Sequence, residues 1–92
     1  MKEISNEALH ILQEEMAESI QAISKVYRFG WDSCHPTVAP TKTNKQHLVE
    51  ELGDVLALID IVKDLYGLSE EDILQAKLNK IEKLKKWSTL FG

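Results

Sequence analysis

Read for the spacing of its apolar positions, the chain divides into three helical stretches. In the first, from about Ser5 to Tyr27 or Arg28, the residues Leu9, Leu12, Met16, Ile20, Ile23 and Tyr27 recur at intervals of three and four. That spacing places them on one helix face. A second helix is predicted to begin after Thr43, where Thr43 and Gln46 have the spacing of a capping box. It ends near Tyr66, ahead of Gly67, a residue suited to the left-handed conformation that closes helices. A third begins at Ser69. Glu70, Glu71 and Asp72 fill its first turn and its lysines gather at the far end, the sense that the helix dipole favours. Leu74, Leu78, Ile81 and Leu84 form its apolar stripe. No segment has a convincing strand alternation. Between the first two helices runs a long polar loop, from about Phe29 to Lys42, with Gly30, Pro36 and Pro40; loops of this length often serve as lids or binding loops. The expected fold is all-α, a three-helix protomer with a long loop between helix 1 and helix 2.

Helix 2 carries more apolar surface than two neighbours cover. Leu48, Leu52, Val55, Leu56, Ile59 and Val62 occupy one broad side, and Leu58, Ile61 and Leu65 extend onto another. Trp87, Leu90 and Phe91 add apolar area at the C-terminus. A four-helix-bundle core formed by helices 1 and 2 of two copies would cover such a helix, so a homodimer or larger is expected.

Length and charge narrow the picture. Ninety-two residues make one domain, residues 1–92. A net charge of −4 argues against a nucleic-acid partner, because phosphate backbones call for a basic surface. The basic residues concentrate between Lys77 and Lys86, where Glu82 is the one acid. Cys34 is the single cysteine, so no intrachain disulfide is possible and a reducing compartment fits. Residues 1–6 lack the apolar stretch of a signal peptide. The most apolar run, Val55 to Val62, is too short to cross a bilayer and contains Asp60. These features lead one to expect a cytoplasmic protein without a membrane partner.

The chemistry concentrates in two short segments. Helix 1 carries Glu14-Glu15-Met16-Ala17-Glu18 and helix 2 carries Glu50-Glu51-Leu52-Gly53-Asp54. Glu15 with Glu18, and Glu51 with Asp54, stand three residues apart and so neighbour each other on a helix surface. Acidic pairs of this kind are often plain solvated surface. Here Glu51 and Asp54 share a sector with His47, Leu58, Ile61 and Leu65, and Glu15 and Glu18 share one with Ile11 and Ala22. Carboxylates among apolar residues are costly unless something compensates their charge. In an antiparallel pairing Glu18 lies ten residues before Arg28 and Asp54 ten after Asn44. Both therefore stand about 15 Å from the connecting end. Four carboxylates converging at one level suit a hard cation, Mg²⁺ or alternatively Mn²⁺.

These segments resemble the MazG-like, all-α nucleoside-triphosphate pyrophosphohydrolase superfamily, whose signature is EExxE on one helix and ExxD on the next. The string Glu50-Glu51-Leu52-Gly53-Asp54-Val55-Leu56 is similar to the second motif, and the resemblance spans about Leu9 to Lys86. It implies a hydrolase that converts an NTP or dNTP to the monophosphate and pyrophosphate, with clearance of the nucleotide pool as one role. It also implies dimers or dimers of dimers. Carried onto this chain, it makes Glu15, Glu18, Glu51 and Asp54 the catalytic metal ligands, with Glu14 and Glu50 as outer or surface groups. Lys77, Asn79, Lys80 and Lys83 look like the set that approaches the phosphates. The chain departs from the pattern in having no arginine there, and a lysine lacks the bidentate fork. The alternative for these lysines is a solvated helix end.

For a base-stacking ring, Trp31 beside Gly30 and Asp32 is the candidate, while Tyr27 and Phe29 serve equally well as packing groups. Cys34 has no matched base. His35 and His47 lack a metal-ligand partner at helical spacing and are read as structural or substrate-proximal. Rival readings are a phosphoribosyl-ATP pyrophosphohydrolase, a dUTPase-like enzyme and, from another class, a non-catalytic helical interaction module.

Overall fold

A computed structural model describes residues 6–35 and 39–92. Three helices dominate it: α1 (Glu7–Phe29), α2 (Asn44–Tyr66) and α3 (Glu70–Trp87). The first begins one or two residues later than the apolar pattern suggests, after Asn6, whose side chain makes no capping bond; Ser5 lies outside the described residues. It ends at Gly30, whose positive φ of 89° suits a residue without a Cβ.

The boundaries of α2 and α3 follow from local chemistry. The Thr43 backbone N–H donates to Gln46 Oε1 at 2.8 Å, and the Gln46 N–H donates back to Thr43 Oγ1 at 3.1 Å, completing the capping box. At the other end of α2 Gly67 takes φ 64°, and the Leu68 N–H donates to the Lys63 carbonyl at 3.0 Å, the long-range bond of a Schellman closure. Ser69 caps α3 by accepting from the Asp72 N–H at 3.2 Å, with three acids in the first turn.

The connection between α1 and α2 departs from the expected plain loop. It contains a short antiparallel ladder of β1 (Cys34–His35) and β2 (Ala39–Thr43), pairing Cys34 with Thr43 and His35 with Ala39 across an irregularity. Two such brief segments, one containing Pro40, are too short to show alternation in sequence. The residues between them, Pro36 included, lie outside the described part, as do the side chains of His35 and Pro40.

The chain forms two compact units, residues 1–62 and residues 63–92. In the first, the α1–α2 connection is tied down by Asn44. Its buried side chain donates to the Gly30 carbonyl at 2.9 Å and its backbone N–H to that of Ser33. The Lys45 N–H reaches the Trp31 carbonyl at 2.9 Å. Farther along, the Ser19 hydroxyl lies 3.0 Å from the Glu15 carbonyl and 3.4 Å from that of Glu51. Two tie points in this order make α1 and α2 antiparallel. Ala8 and Val62, both buried, lie equally far along their helices from Ser19 and Glu51, so the register sets them level.

The seam between these helices is lined by small residues. On α1 the buried positions are Ala8, Ser19 and Ala22, not the large apolar stripe. Leu9, Met16, Ile20, Ile23 and Tyr27 of that stripe are all exposed, Ile20 by 67% and Tyr27 by 87%. On α2, Val49, Leu52 and Leu56 are also exposed. Among the described residues no large side chain is fully buried. The second unit holds the end of α2 and α3, where Leu74 and Leu78 are exposed and Ile81 and Leu84 half-buried. Among the described residues no helix is long and apolar enough to cross a membrane.

Candidate metal centre

The close approach permitted by Ser19 and Ala22 decides what happens to the acidic segments. Small side chains let two helix backbones near each other, and the Ser19 hydroxyl bridges the carbonyls of the two turns that carry Glu15 and Glu51. Glu15, Glu18 and Glu51 then each offer a carboxylate oxygen to a group whose members all lie within 4.8 Å of one another. Glu15 and Glu51 are half-buried and Glu18 is exposed.

Two oxygens at this crossing, Glu15 Oε2 and Glu51 Oε2, are buried with no hydrogen-bond partner. An unmatched buried acceptor is costly, the more so when it carries charge. Desolvation raises the Glu15 carboxyl above its ordinary range, and the negative charges of Glu18, Asp54 and Glu51, with a hydrogen bond to Glu18, add to the effect. The donor set is all oxygen and all anionic, the set that hard divalent cations prefer. Orphaned buried oxygens, crowded like charge and hard ligands all fit Mg²⁺ or Mn²⁺ between the two helices.

Asp54 stands apart from this group. It is exposed and outside the converging three, although its charge acts on Glu15. Glu14 is exposed; Glu50 faces outward and pairs with Lys42 at 2.8 Å. Two residues near the cluster carry little signal in sequence. Ser19 shows only as a small residue one turn beyond Glu15. His47, read above as having no ligand partner, places Nε2 at 3.1 Å from Glu51 Oε1, one helical turn away. The spacing was visible; the direction of the side chains was not.

The phosphate-binding candidates Lys77, Asn79, Lys80 and Lys83 are all exposed on α3, in the second unit. Asn79 accepts a bond from Gln75 at 3.0 Å through its side-chain carbonyl. Trp31 is 53% exposed in the turn after α1. Beside it the Arg28 guanidinium lies 4.9 Å from the centre of the Phe29 ring, a cation–π contact. Cys34 is a half-buried free thiol.

Comparison with known proteins agrees with the geometry. Residues 4–89 match the model of the MazG nucleotide pyrophosphohydrolase domain. The chain is 38% identical over 72 residues to the uncharacterized protein YvdC of Bacillus subtilis (strain 168), an overlap of 78% of this chain and 67% of that one. No solved structure matches significantly. With a family match over nearly its whole length and acidic turns meeting between its first two helices, the chain belongs to the MazG nucleotide pyrophosphohydrolase family, a membership that implies activity of that kind.

Proposed function

We propose that this protein is a Mg²⁺-dependent hydrolase that cleaves a nucleoside triphosphate, NTP or dNTP, to the monophosphate and pyrophosphate. The observation that carries the reading is the convergence of Glu15, Glu18 and Glu51 from two helices, with buried oxygens left unpartnered. Family membership supplies the reaction class. Residues 1–92 act as one domain in this reading, because the family match runs across both compact units.

Glu15, Glu18 and Glu51 would hold the cation, with Asp54, whose charge acts on Glu15, as the fourth carboxylate of the site. When bound, Mg²⁺ supplies neutralising charge for the phosphate oxygens as the transition state forms. Glu15 or Glu18 is the proposed group that orients the attacking water, Glu18 being the exposed one of the two. The water oxygen bonds to the α-phosphorus, the α–β anhydride bond breaks and pyrophosphate leaves. Lys77, Asn79, Lys80 and Lys83 are the proposed phosphate ligands, since all four stand exposed on one helix. The exposed Trp31 ring is the proposed stacking surface for the base.

The functional unit is proposed to be a homodimer or homotetramer. Leu9, Met16, Ile20 and Ile23 on α1, with Leu52 and Leu56 on α2, leave an apolar face that the helix pair itself does not cover. A four-helix core of α1 and α2 from two copies would cover it. Sedimentation at micromolar concentration should give at least twice 10.5 kDa, and activity should fall on dilution. A monomer with full activity would remove the dimer from this scheme.

The activity test is a panel of canonical and modified nucleoside triphosphates with Mg²⁺, read as pyrophosphate. Orthophosphate release would refute the bond assignment. No turnover of any substrate, with no Mg²⁺ binding, would favour a helical interaction module.

A further inference from the structure

Three glutamates meet at the helix crossing, but they are not held in the same way. Glu15 and Glu18 are both carboxylates, close to one turn apart on α1. Glu51 instead meets an imidazole nitrogen: His47 Nε2 lies 3.1 Å from its Oε1, one turn earlier on α2. Among the described residues, His47 is the one nitrogen donor on the cluster. An ionised carboxylate can only accept, so Nε2 carries the hydrogen in this contact. With Oε1 taken, Oε2 is left as the open oxygen, and it is the one buried without a partner.

Resting on the metal-centre reading above, we infer that His47 is a positioning residue for Glu51: its Nε2–H fixes Oε1 and so presents Oε2 to the divalent cation. Metal-bound groups are commonly oriented by outer hydrogen bonds, whose loss weakens metal affinity by about 10- to 100-fold. A glutamate side chain has several rotatable bonds, and the His47 contact removes that freedom before the cation arrives. His47 is half-buried and its partner carboxylate more so, with 31% and 12% of the side chains exposed, so the contact is sheltered from competing water. Among the described residues the Glu15 carboxylate receives no such nitrogen donor, which makes Glu51 the preset ligand and Glu15 the one that adjusts.

The test compares His47→Leu, which keeps bulk without a donor, with His47→Gln, which keeps an N–H within reach of the same oxygen. Mn²⁺ binding to the full chain is measured by paramagnetic resonance of the free ion, with helicity checked by circular dichroism. His47→Leu is expected to weaken Mn²⁺ binding about tenfold or more, and His47→Gln to return it to within about threefold of the unmodified protein. A merely structural role would not produce that rescue at equal helicity. Unchanged affinity in His47→Leu, or no rescue by Gln, would overturn the inference while leaving the metal centre standing. So would a spin-echo signal of His47 nitrogen bonded directly to Mn²⁺, which would make it a ligand. Absence of Mn²⁺ binding in the unmodified protein would instead remove the metal centre, and the positioning role with it.

Discussion

The acidic turns of α1 and α2 and the basic end of α3 look alike as patterns, charged residues at helical spacing, yet they are in different physical states. At the crossing of α1 and α2, three carboxylates from two elements converge, two are half-buried, and two oxygens have no partner. On α3 the lysines are exposed, Lys85 pairs with Glu82 at 3.0 Å, and Lys86 rests 5.2 Å from the Trp87 ring centre. Lys85 and Lys86 thus meet partners on their own helix end and complement its dipole, while Lys77, Lys80 and Lys83 stand exposed. The difference teaches that a charge pattern becomes a site only where a second element crowds it and water is displaced. One region holds buried carboxylate oxygens without partners; the other keeps its charges in water.

The comparison breaks most sharply at Glu51. Glu51→Gln should reduce pyrophosphate release more than about 100-fold, beyond what loss of an outer contact produces, with helicity retained. Steady-state kinetics at saturating Mg²⁺ checks this, and activity within tenfold of the unmodified protein would return the acidic cluster to ordinary surface.

Next in size is the thermal response to metal. A cation that binds only the folded chain at a hundredfold excess over its Kd stabilises by about 2.7 kcal/mol. For a domain of this length that amounts to roughly 10–20 °C in Tm. Millimolar Mg²⁺ should therefore raise Tm over chelator at matched ionic strength, and Glu51→Gln should abolish the difference. Scanning calorimetry on both proteins decides it.

The basic region should respond more weakly. Lys80→Ala is expected to lower kcat/KM about tenfold through loss of a charge-assisted phosphate contact. Tm should stay within the narrow range usual for surface substitutions. Equal kcat/KM would leave Lys80 as a solvated residue and sharpen the contrast between the two regions.

The smallest effect is a pH dependence. The folded chain holds the Glu15 proton at pH values where the unfolded chain, near its ordinary value of 4.5, has released it. A group raised in this way contributes stability below the unfolded value and loses it as pH rises through the folded one. In chelator, Glu15→Gln should therefore gain in Tm relative to the unmodified protein between acid and neutral pH. A constant difference across that range would contradict the shift.

Much of this molecule is decided within single turns of chain. The Thr43–Gln46 box, the Gly67 closure and the Ser69 cap require only residues a few positions apart, so their physics is written locally. The acidic motifs and the family they belong to were legible for the same reason. The loop ladder was not, because Cys34 and Thr43 pair across several intervening residues and neither strand is long enough to show its period. Nor was the packing seam. Periodicity marks the stripe of Leu9, Met16, Ile20 and Ile23, but the helices meet along Ala8, Ser19 and Ala22, where small side chains allow close approach. That approach carries Glu51 to Glu15 and Glu18 and leaves Asp54 outside the group. Sequence determines which groups can carry charge and where helices start and stop, because those depend on neighbours along the chain. Which carboxylates lose their water depends on how two backbones cross, and only the tertiary structure decided that.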